Sequence, residues 1–298
     1  MADPAVFQLA KNPDQVGENP LWHPGQRRIY WTDNRAERVY RMDPATRAVE
    51  VVVEGLRVYA FTFQPNDDLA LFLDRARIGV APVAGDGYGP ARIVNEGFAG
   101  EADGRFNDVI ADKAGRVLGG VVPMEVGTRP ATLYSIATDG SVRTLRTDIG
   151  MPNGMAFSPD ERFLYVADTR GRKVLRYAYD DSTGEVSGDT VLVDLSKEEG
   201  ASPDGLTVDA AGHLWVAFSG GWSLVRFDPT GREVARVRFP ARKITSAGFG
   251  GGALDTLYVT TSSRKPDPDD EIGPEGGAFF AVYQVSTGKL DHRSSLRF

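Results

Sequence analysis

The chain has 298 residues, of which 41% are apolar, with 34 glycines, no cysteine and a formal net charge of −7. This composition supports a packed core and excludes disorder. The lack of cysteine excludes disulfides, zinc–thiolate centres and thiol nucleophiles. The acidic balance with interspersed signs excludes a nucleic-acid footprint, and no window approaches the roughly 18 apolar residues of a membrane span. The N-terminus, M-A-D-P-A-V-F-Q-L-A-K-N-P, has neither the basic region nor the apolar run of a secretory leader. The expectation is one domain over residues 1–298 in a cytoplasmic, reducing compartment.

In chain order, Val6-Phe7-Gln8-Leu9 reads as a lone strand. Six related units follow, each containing a short apolar strand, a turn rich in Asp, Pro or Gly, and a second strand with an aromatic residue. They lie at 18–33 (E-N-P-L-W-H-P-G-Q-R-R-I-Y-W-T-D), 59–73, 107–120 (N-D-V-I-A-D-K-A-G-R-V-L-G-G), 152–168 (P-N-G-M-A-F-S-P-D-E-R-F-L-Y-V-A-D), 203–217 (P-D-G-L-T-V-D-A-A-G-H-L-W-V-A) and 245–260. Third strands follow, such as R-V-Y-R-M-D-P at 38–44 and S-L-V-R-F-D-P at 223–229, then fourth strands such as V-E-V-V-V at 49–53. Period-2 alternation and regular turns at this spacing predict an all-β, six-bladed β-propeller with four-stranded blades around a central channel. Val6-Phe7-Gln8-Leu9 is expected to complete the last blade, which removes an exposed sheet edge. Trp31, Trp215, Tyr165 and Tyr258 recur in the second strands and mark packing between blades.

The first strand of each blade lines the channel. Aligning the repeats places Glu18, Tyr59, Asn107, Asn153, Asp204 and Thr245 in one slot at one mouth. Pro203-Asp204-Gly205 alone reads as a turn, with Pro presetting φ and Gly taking a positive φ. Its shared slot adds a second role. Two converging carboxylates repel unless a cation relieves them. Oxygen ligands favour one divalent cation, with calcium first and magnesium, manganese or zinc as alternatives.

The motifs E-N-P-L-W, R-F-N-D-V-I-A-D, M-P-N-G-M-A-F-S-P-D and S-P-D-G-L-T-V-D-A-A-G-H-L-W-V-A resemble those of the regucalcin/gluconolactonase (senescence marker protein) family. The resemblance runs from about residue 16 to the C-terminus, with the motifs in the family's order. It implies a metal-bearing propeller that hydrolyses sugar lactones, with Glu18, Asn153 and Asp204 as metal ligands. It also implies that Arg105 and Asn107 bind substrate, and it assigns the family's next acidic position to Glu125. Asn19 stands where the family usually has glycine. In the implied reaction Asp204 doubles as the catalytic base, and Tyr59 forms a wall of the sugar site.

No G-x-S-x-G nucleophile elbow occurs, and an activated ester needs none. Three other readings belong beside the lactonase: an organophosphate hydrolase of the diisopropyl fluorophosphatase type, a non-catalytic calcium-binding propeller, and a protein-binding propeller. The last is suggested by Tyr30-Trp31-Thr32-Asp33, a signature of extracellular binding propellers that occurs once here. His23, His213 and His292 fall in turn-like or terminal segments and are expected to be exposed. Asp33 and Asp168 are expected to stabilise turns. Nothing in the sequence places the charged, Pro/Gly-rich stretch 264–277.

Overall fold

The computed structural model describes residues 4–11, 15–125, 127–265 and 267–297. Among these residues it has only strands, turns and irregular segments, arranged as six four-stranded antiparallel sheets and a small two-stranded ribbon. Blade 1 is Gly17–His23, Arg28–Asp33, Arg38–Met42 and Val49–Glu54. Blades 3 to 5 repeat that meander, starting with the inner strands Gly104–Ala111, Pro152–Phe157 and Ser202–Val208. Blade 2 begins with Ala60–Phe63, and the ribbon of Val83–Ala84 and Gly87–Tyr88 interrupts it before its outer strand, Arg92–Asn95. Blade 6 takes Ile244–Gly250, Thr256–Thr261 and Phe279–Tyr283 from the end of the chain and its outer strand, Val6–Ala10, from the beginning. The ring therefore closes as the sequence predicts.

Aromatic rings pack that closure. Trp31 of blade 1 stacks on Phe279 of blade 6 at 4.4 Å and on Tyr40 at 5.2 Å. Trp22 stacks on Tyr258 at 6.0 Å. Trp215 packs with Val237, Phe239 and Ala247, and Tyr165 with Leu206 and Val208 of the next blade. The second-strand aromatics thus join blades, as expected from their recurrence.

Asp33 and Asp168 do more than stabilise their own turns. Asp33 is fully buried and accepts amides from Gln15 (2.7 Å) and Val16 (3.2 Å) before blade 1, and from Arg35 and Ala36 (both 3.0 Å) in its own loop. Asp168 accepts from Gly150 (3.1 Å), Met151 (3.0 Å) and Gly171 (2.8 Å). Each carboxylate ties a loop at the channel mouth to the segment entering the same blade. Removing it leaves several buried donors unpaired. Asp168→Ala is expected to cost about 2–4 kcal/mol in urea unfolding.

Two expectations are corrected. Pro203-Asp204-Gly205 lies inside the strand Ser202–Val208 and is not a turn. Gly205 is not among the residues with positive φ. The glycine is required because the blades meet here: a Cβ on Gly205 would lie 2.2 Å from Ser246 Oγ, and one on Gly154 would lie 2.2 Å from the Leu206 amide nitrogen. His23 is buried, at 2% exposure, with Nε2 2.9 Å from Asp67 Oδ1. Its ring packs against Phe63 in a T-shaped contact at 4.7 Å, which draws it inward. The tail after blade 6 lies outside the repeat pattern. It crosses the far face of the ring: Ala210 donates to Thr287 O (2.8 Å), Ser294 to Phe63 O (3.0 Å), Ser295 to Gly115 O (2.8 Å) and Arg297 to Thr138 O (2.8 Å). Arg293 pairs with Asp67, and His292 with Glu161. The channel is thus strapped at the end opposite the aligned slot.

Candidate metal centre and substrate site

Five of the six inner strands slip register at their mouth end. The slips fall between Glu18 and Leu21, Phe106 and Val109, Pro152 and Met155, Pro203 and Leu206, and Ile244 and Ser246. A bulge leaves a residue unpaired and re-aims its side chain, a device common beside active sites. Here the bulges bracket or adjoin Glu18, Asn107, Asn153, Asp204 and Thr245. The shared slot therefore has a structural cause, which sequence alignment located without explaining.

Asn153 and Asp204 meet directly. Both are 8% exposed, and Asn153 Nδ2 donates to Asp204 Oδ1 at 2.5 Å. Thr169 buttresses the pair, accepting from Asn153 Nδ2 at 3.1 Å and donating to Pro203 O at 2.8 Å. The Ser219 hydroxyl also bonds Asp204. Burial raises the Asp204 pKa above the ordinary carboxylate range, against the hydrogen bond from Asn153. Burial likewise holds Glu18 well above its usual value, and the charges of Asp204 and Asp108 push it the same way. Asp108, which faces the narrow channel just below the mouth, is pushed up to about 7 by burial.

Arg105 is the cation that opposes this charge, lowering the pKa of both Glu18 and Asp204. Its guanidinium lies 4.8 Å from the centre of the Tyr59 ring, and Nη1 donates to Asn107 Oδ1 at 2.6 Å. Asn107 Nδ2 donates to Pro152 O of the next blade at 3.1 Å. Burial lowers the Arg105 pKa, and the nearby charge of Arg35 lowers it further. Tyr59 is buried, at 6% exposure, beneath Arg105, and its hydroxyl bonds Arg57. It serves Arg105 as a platform. Thr245 donates to Gly17 O at 2.6 Å and pairs with Thr260 at 2.9 Å, so its hydroxyl closes blade 6 onto blade 1.

Glu125 stands exposed on the mouth-side loop of blade 3, where its carbonyl accepts Thr128 Oγ1 at 2.8 Å. Among the described residues no hydrogen bond or ion pair joins its side chain to the ring. Of stretch 264–277, residue 266 lies outside the described residues; the others belong to the mouth-side loop of blade 6, held by Arg242 N to Ile272 O (3.0 Å) and Glu275 N to Pro240 O (3.0 Å). Sequence reasoning missed Thr169 and Ser219, although each directly follows the second-strand position that holds Asp168 in blade 4 and Phe218 in blade 5. It also missed Asp108 and the tail residue Asp291, which line the channel together. Asp291 lies outside the repeat, so alignment had no means of finding it.

Among the described residues no three His, Cys, Asp or Glu side chains form a metal cluster. The mouth instead offers two carboxylates and an amide. Asp204 is buried and Glu18 partly buried; two such carboxylates with raised proton affinity and one cationic neighbour are under-compensated, and this donor set fits a hard divalent cation. Glu18, Asn153 and Asp204 are the residues that would hold it.

Fold and site together define a class: a six-bladed propeller with carboxylates and an amide gathered at one mouth and an arginine beside them. The chain belongs to the SMP-30/gluconolactonase/LRE-like family, whose characteristic region matches residues 16–263. It is 42% identical over 297 residues to pentonolactonase XacC of Haloferax volcanii, covering 98% of this chain and 99% of that protein. It is 31% identical over 278 residues to regucalcin of Homo sapiens, covering 90% of each. The fold also matches the crystal structure of a calcium-binding protein, regucalcin, from Agrobacterium tumefaciens. That match has a TM-score of 0.87 at 24% identity and covers 99% of this chain and 98% of the other.

Proposed function

We propose that this protein hydrolyses a sugar (aldono)lactone to the corresponding sugar acid, using one divalent cation, calcium foremost, at Glu18, Asn153 and Asp204. The observation that carries this reading is the convergence of Glu18 and Asp204 from blades 1 and 5, both with raised proton affinity, beside the Asn153 amide. Full-length similarity to a pentonolactonase supports the substrate class. When bound, the cation supplies Lewis-acid stabilisation of charge developing on the carbonyl oxygen.

The chain's own groups carry the remaining steps. Asp204 accepts a proton from water as the water oxygen adds to the lactone carbonyl carbon. The carbonyl reforms as the ring C–O bond breaks, and the ring oxygen leaves as a hydroxyl by taking back the proton that Asp204 accepted from water. The sum is one water added across one ester bond. Arg105 and Asn107 supply a fixed donor and an amide for the sugar hydroxyls, and Tyr59 holds the guanidinium in place. Glu125 stands on the same mouth as a further acceptor.

The test is proton release from a panel of aldonolactones by chelator-treated protein, then with calcium, zinc, magnesium or manganese restored. Turnover that returns with a cation supports the reading, and no turnover of any lactone with any cation overturns it. Cleavage of a phosphotriester in place of lactones would move the assignment to the organophosphate hydrolases. Arg105→Ala is expected to lower kcat/KM about 100-fold, the loss typical of one preorganised polar contact. The same change removes a positive charge beside Glu18 and Asp204. Calcium should therefore bind several-fold tighter to Arg105→Ala in isothermal titration, the opposite direction from its effect on turnover.

A further inference from the structure

Asn107 and Asn153 fill the same slot in adjacent blades, yet they leave different atoms free. Asn107 Oδ1 accepts from Arg105 Nη1 at 2.6 Å, and Nδ2 donates to Pro152 O at 3.1 Å. Its oxygen is spent on the guanidinium, and one N–H is left over. Asn153 is the reverse. Its Nδ2 donates to Asp204 Oδ1 at 2.5 Å and to Thr169 Oγ1 at 3.1 Å, which uses both hydrogens. Among the described residues its Oδ1 accepts no hydrogen bond. Hard divalent cations take oxygen ligands, and an amide NH2 only donates. Of the two asparagines, Asn153 is therefore the one with its oxygen available.

The hydroxyl of Thr169 fixes that polarity. An amide can turn over and exchange its oxygen and nitrogen, because the two ends fill nearly the same space. The Asp204 contact does not forbid the exchange, since a carboxyl group accepts when ionised and can donate when protonated. Thr169 does forbid it. Its Oγ1 lies 2.8 Å from Pro203 O, a backbone carbonyl that can only accept. The single hydroxyl proton is committed there. Toward Asn153 the hydroxyl offers lone pairs alone, so the amide must present Nδ2 and keep Oδ1 on its other edge. Pro203 directly precedes Asp204, so the same hydroxyl ties blade 4 to the backbone that carries the neighbouring carboxylate. Thr169 N is anchored on Met151 O at 3.1 Å, which holds the hydroxyl in place. Blade 3 has no such hydroxyl. Phe106 pairs with Val121 as Pro152 pairs with Asp168, so Val122 stands where Thr169 does.

We propose that Thr169 is a positioning residue for the cation: its hydroxyl turns the Asn153 amide so that oxygen is the atom offered, and holds that amide beside Asp204. The proposal rests on the reading of Glu18, Asn153 and Asp204 as the cation's ligands. It explains why one slot asparagine serves the cation while the other, turned to Arg105, keeps a donor for the sugar. Partners that orient a ligand in this way tune affinity without touching the ion.

The experiment is isothermal titration of chelator-treated protein with calcium chloride, comparing wild type, Thr169→Val and Thr169→Ser. Valine keeps the shape and removes the hydroxyl, giving blade 4 the residue that blade 3 already has. Serine keeps the hydroxyl. Melting curves in chelator verify folding and set a titration temperature below every transition; Thr169→Ala takes the place of Thr169→Val if the valine variant does not fold. The expected result is calcium binding weakened about 10- to 100-fold in Thr169→Val, the usual loss when a ligand's hydrogen-bond partner is removed, with Thr169→Ser close to wild type. A hydroxyl that only stabilised the fold would lower the melting temperature and leave the dissociation constant of the folded protein unchanged. A Thr169→Val constant within about two-fold of wild type therefore overturns the positioning role. Equal weakening in the valine and serine variants assigns the loss to packing and overturns it too. Wild type that binds none of calcium, zinc, magnesium and manganese overturns the cation reading itself, and the role of Thr169 falls with it.

Discussion

Asp204→Asn is expected to lower lactone turnover by at least about 1000-fold, near the upper part of the range for a lost acid–base group. It is also expected to abolish calcium binding in isothermal titration and to make the cation-free protein more stable than wild type. The stability effect follows from the raised pKa of Asp204. In the unfolded chain its carboxyl titrates near pH ~4, and in the fold burial raises that value. The folded state then binds more protons than the unfolded state between the two values. The stability this group contributes is fully present below the unfolded pKa and is lost as pH rises through the folded one. Asparagine does not titrate, and its side-chain oxygen can still accept the hydrogen bond from Asn153.

The variant should therefore match wild type near pH 4 and exceed it above pH ~7, by on the order of 2 kcal/mol or a few degrees in melting temperature. Melts in chelator at pH 4.5 and pH 8 check this. Calcium should stabilise wild type at pH 8 and leave the variant unchanged. A variant less stable than wild type in chelator at pH 8 would show that the carboxylate is well compensated, and the case for a cation would fall.

Gly154→Ala should be among the most damaging single-methyl changes in the chain. The added Cβ would lie 2.2 Å from Leu206 N, 2.5 Å from the Gly205 carbonyl carbon and 2.6 Å from Asp204 O. These are backbone atoms of the next inner strand, and they cannot swing aside as the end of a side chain can. Blades 4 and 5 must separate at the axis. The expected loss is about 3 kcal/mol or more, seen as a lower urea midpoint. Any folded fraction should bind calcium more weakly, because Asn153 adjoins the inserted methyl and Asp204 faces it. Gly87→Ala is the control. It has no atoms within 4 Å of a built Cβ and no positive φ, so its effect should stay within ±0.5 kcal/mol. Equal midpoints for the two variants would refute the close-approach argument.

The repeat made the architecture legible, because a propeller writes the same strand pattern into each blade. The order of the blades and the closing role of Val6–Ala10 followed from counting strands. The slot containing Glu18, Asn153 and Asp204 was legible for the same reason. The reason for the glycine beside Asp204 was not. A positive φ and a close backbone approach select the same residue, and only the position of the neighbouring blade separates them. Thr169 and Ser219 escaped because their importance depends on which side chain they touch across the bulge. The tail and Asp291 escaped because they belong to no repeat, and the burial of His23 followed from the tail's Arg293 and from packing on Phe63.

The outer strand of blade 6 comes from the start of the chain and the other three from its end. During synthesis, the first strand must therefore wait without a partner until the last blade has emerged. Joining the two is the pairing of greatest sequence separation, and such contacts form slowly because loop-closure entropy must be overcome first. Glu18, only a few residues beyond that strand, is in blade 1, and Asp204 is in blade 5. A nascent chain that has made blades 1 to 5 thus holds both carboxylates with nothing to keep them facing each other. The proposed cation affinity would then be a property of the joined circle, and a calcium titration during refolding would time the moment at which the first strand and the last blade find each other.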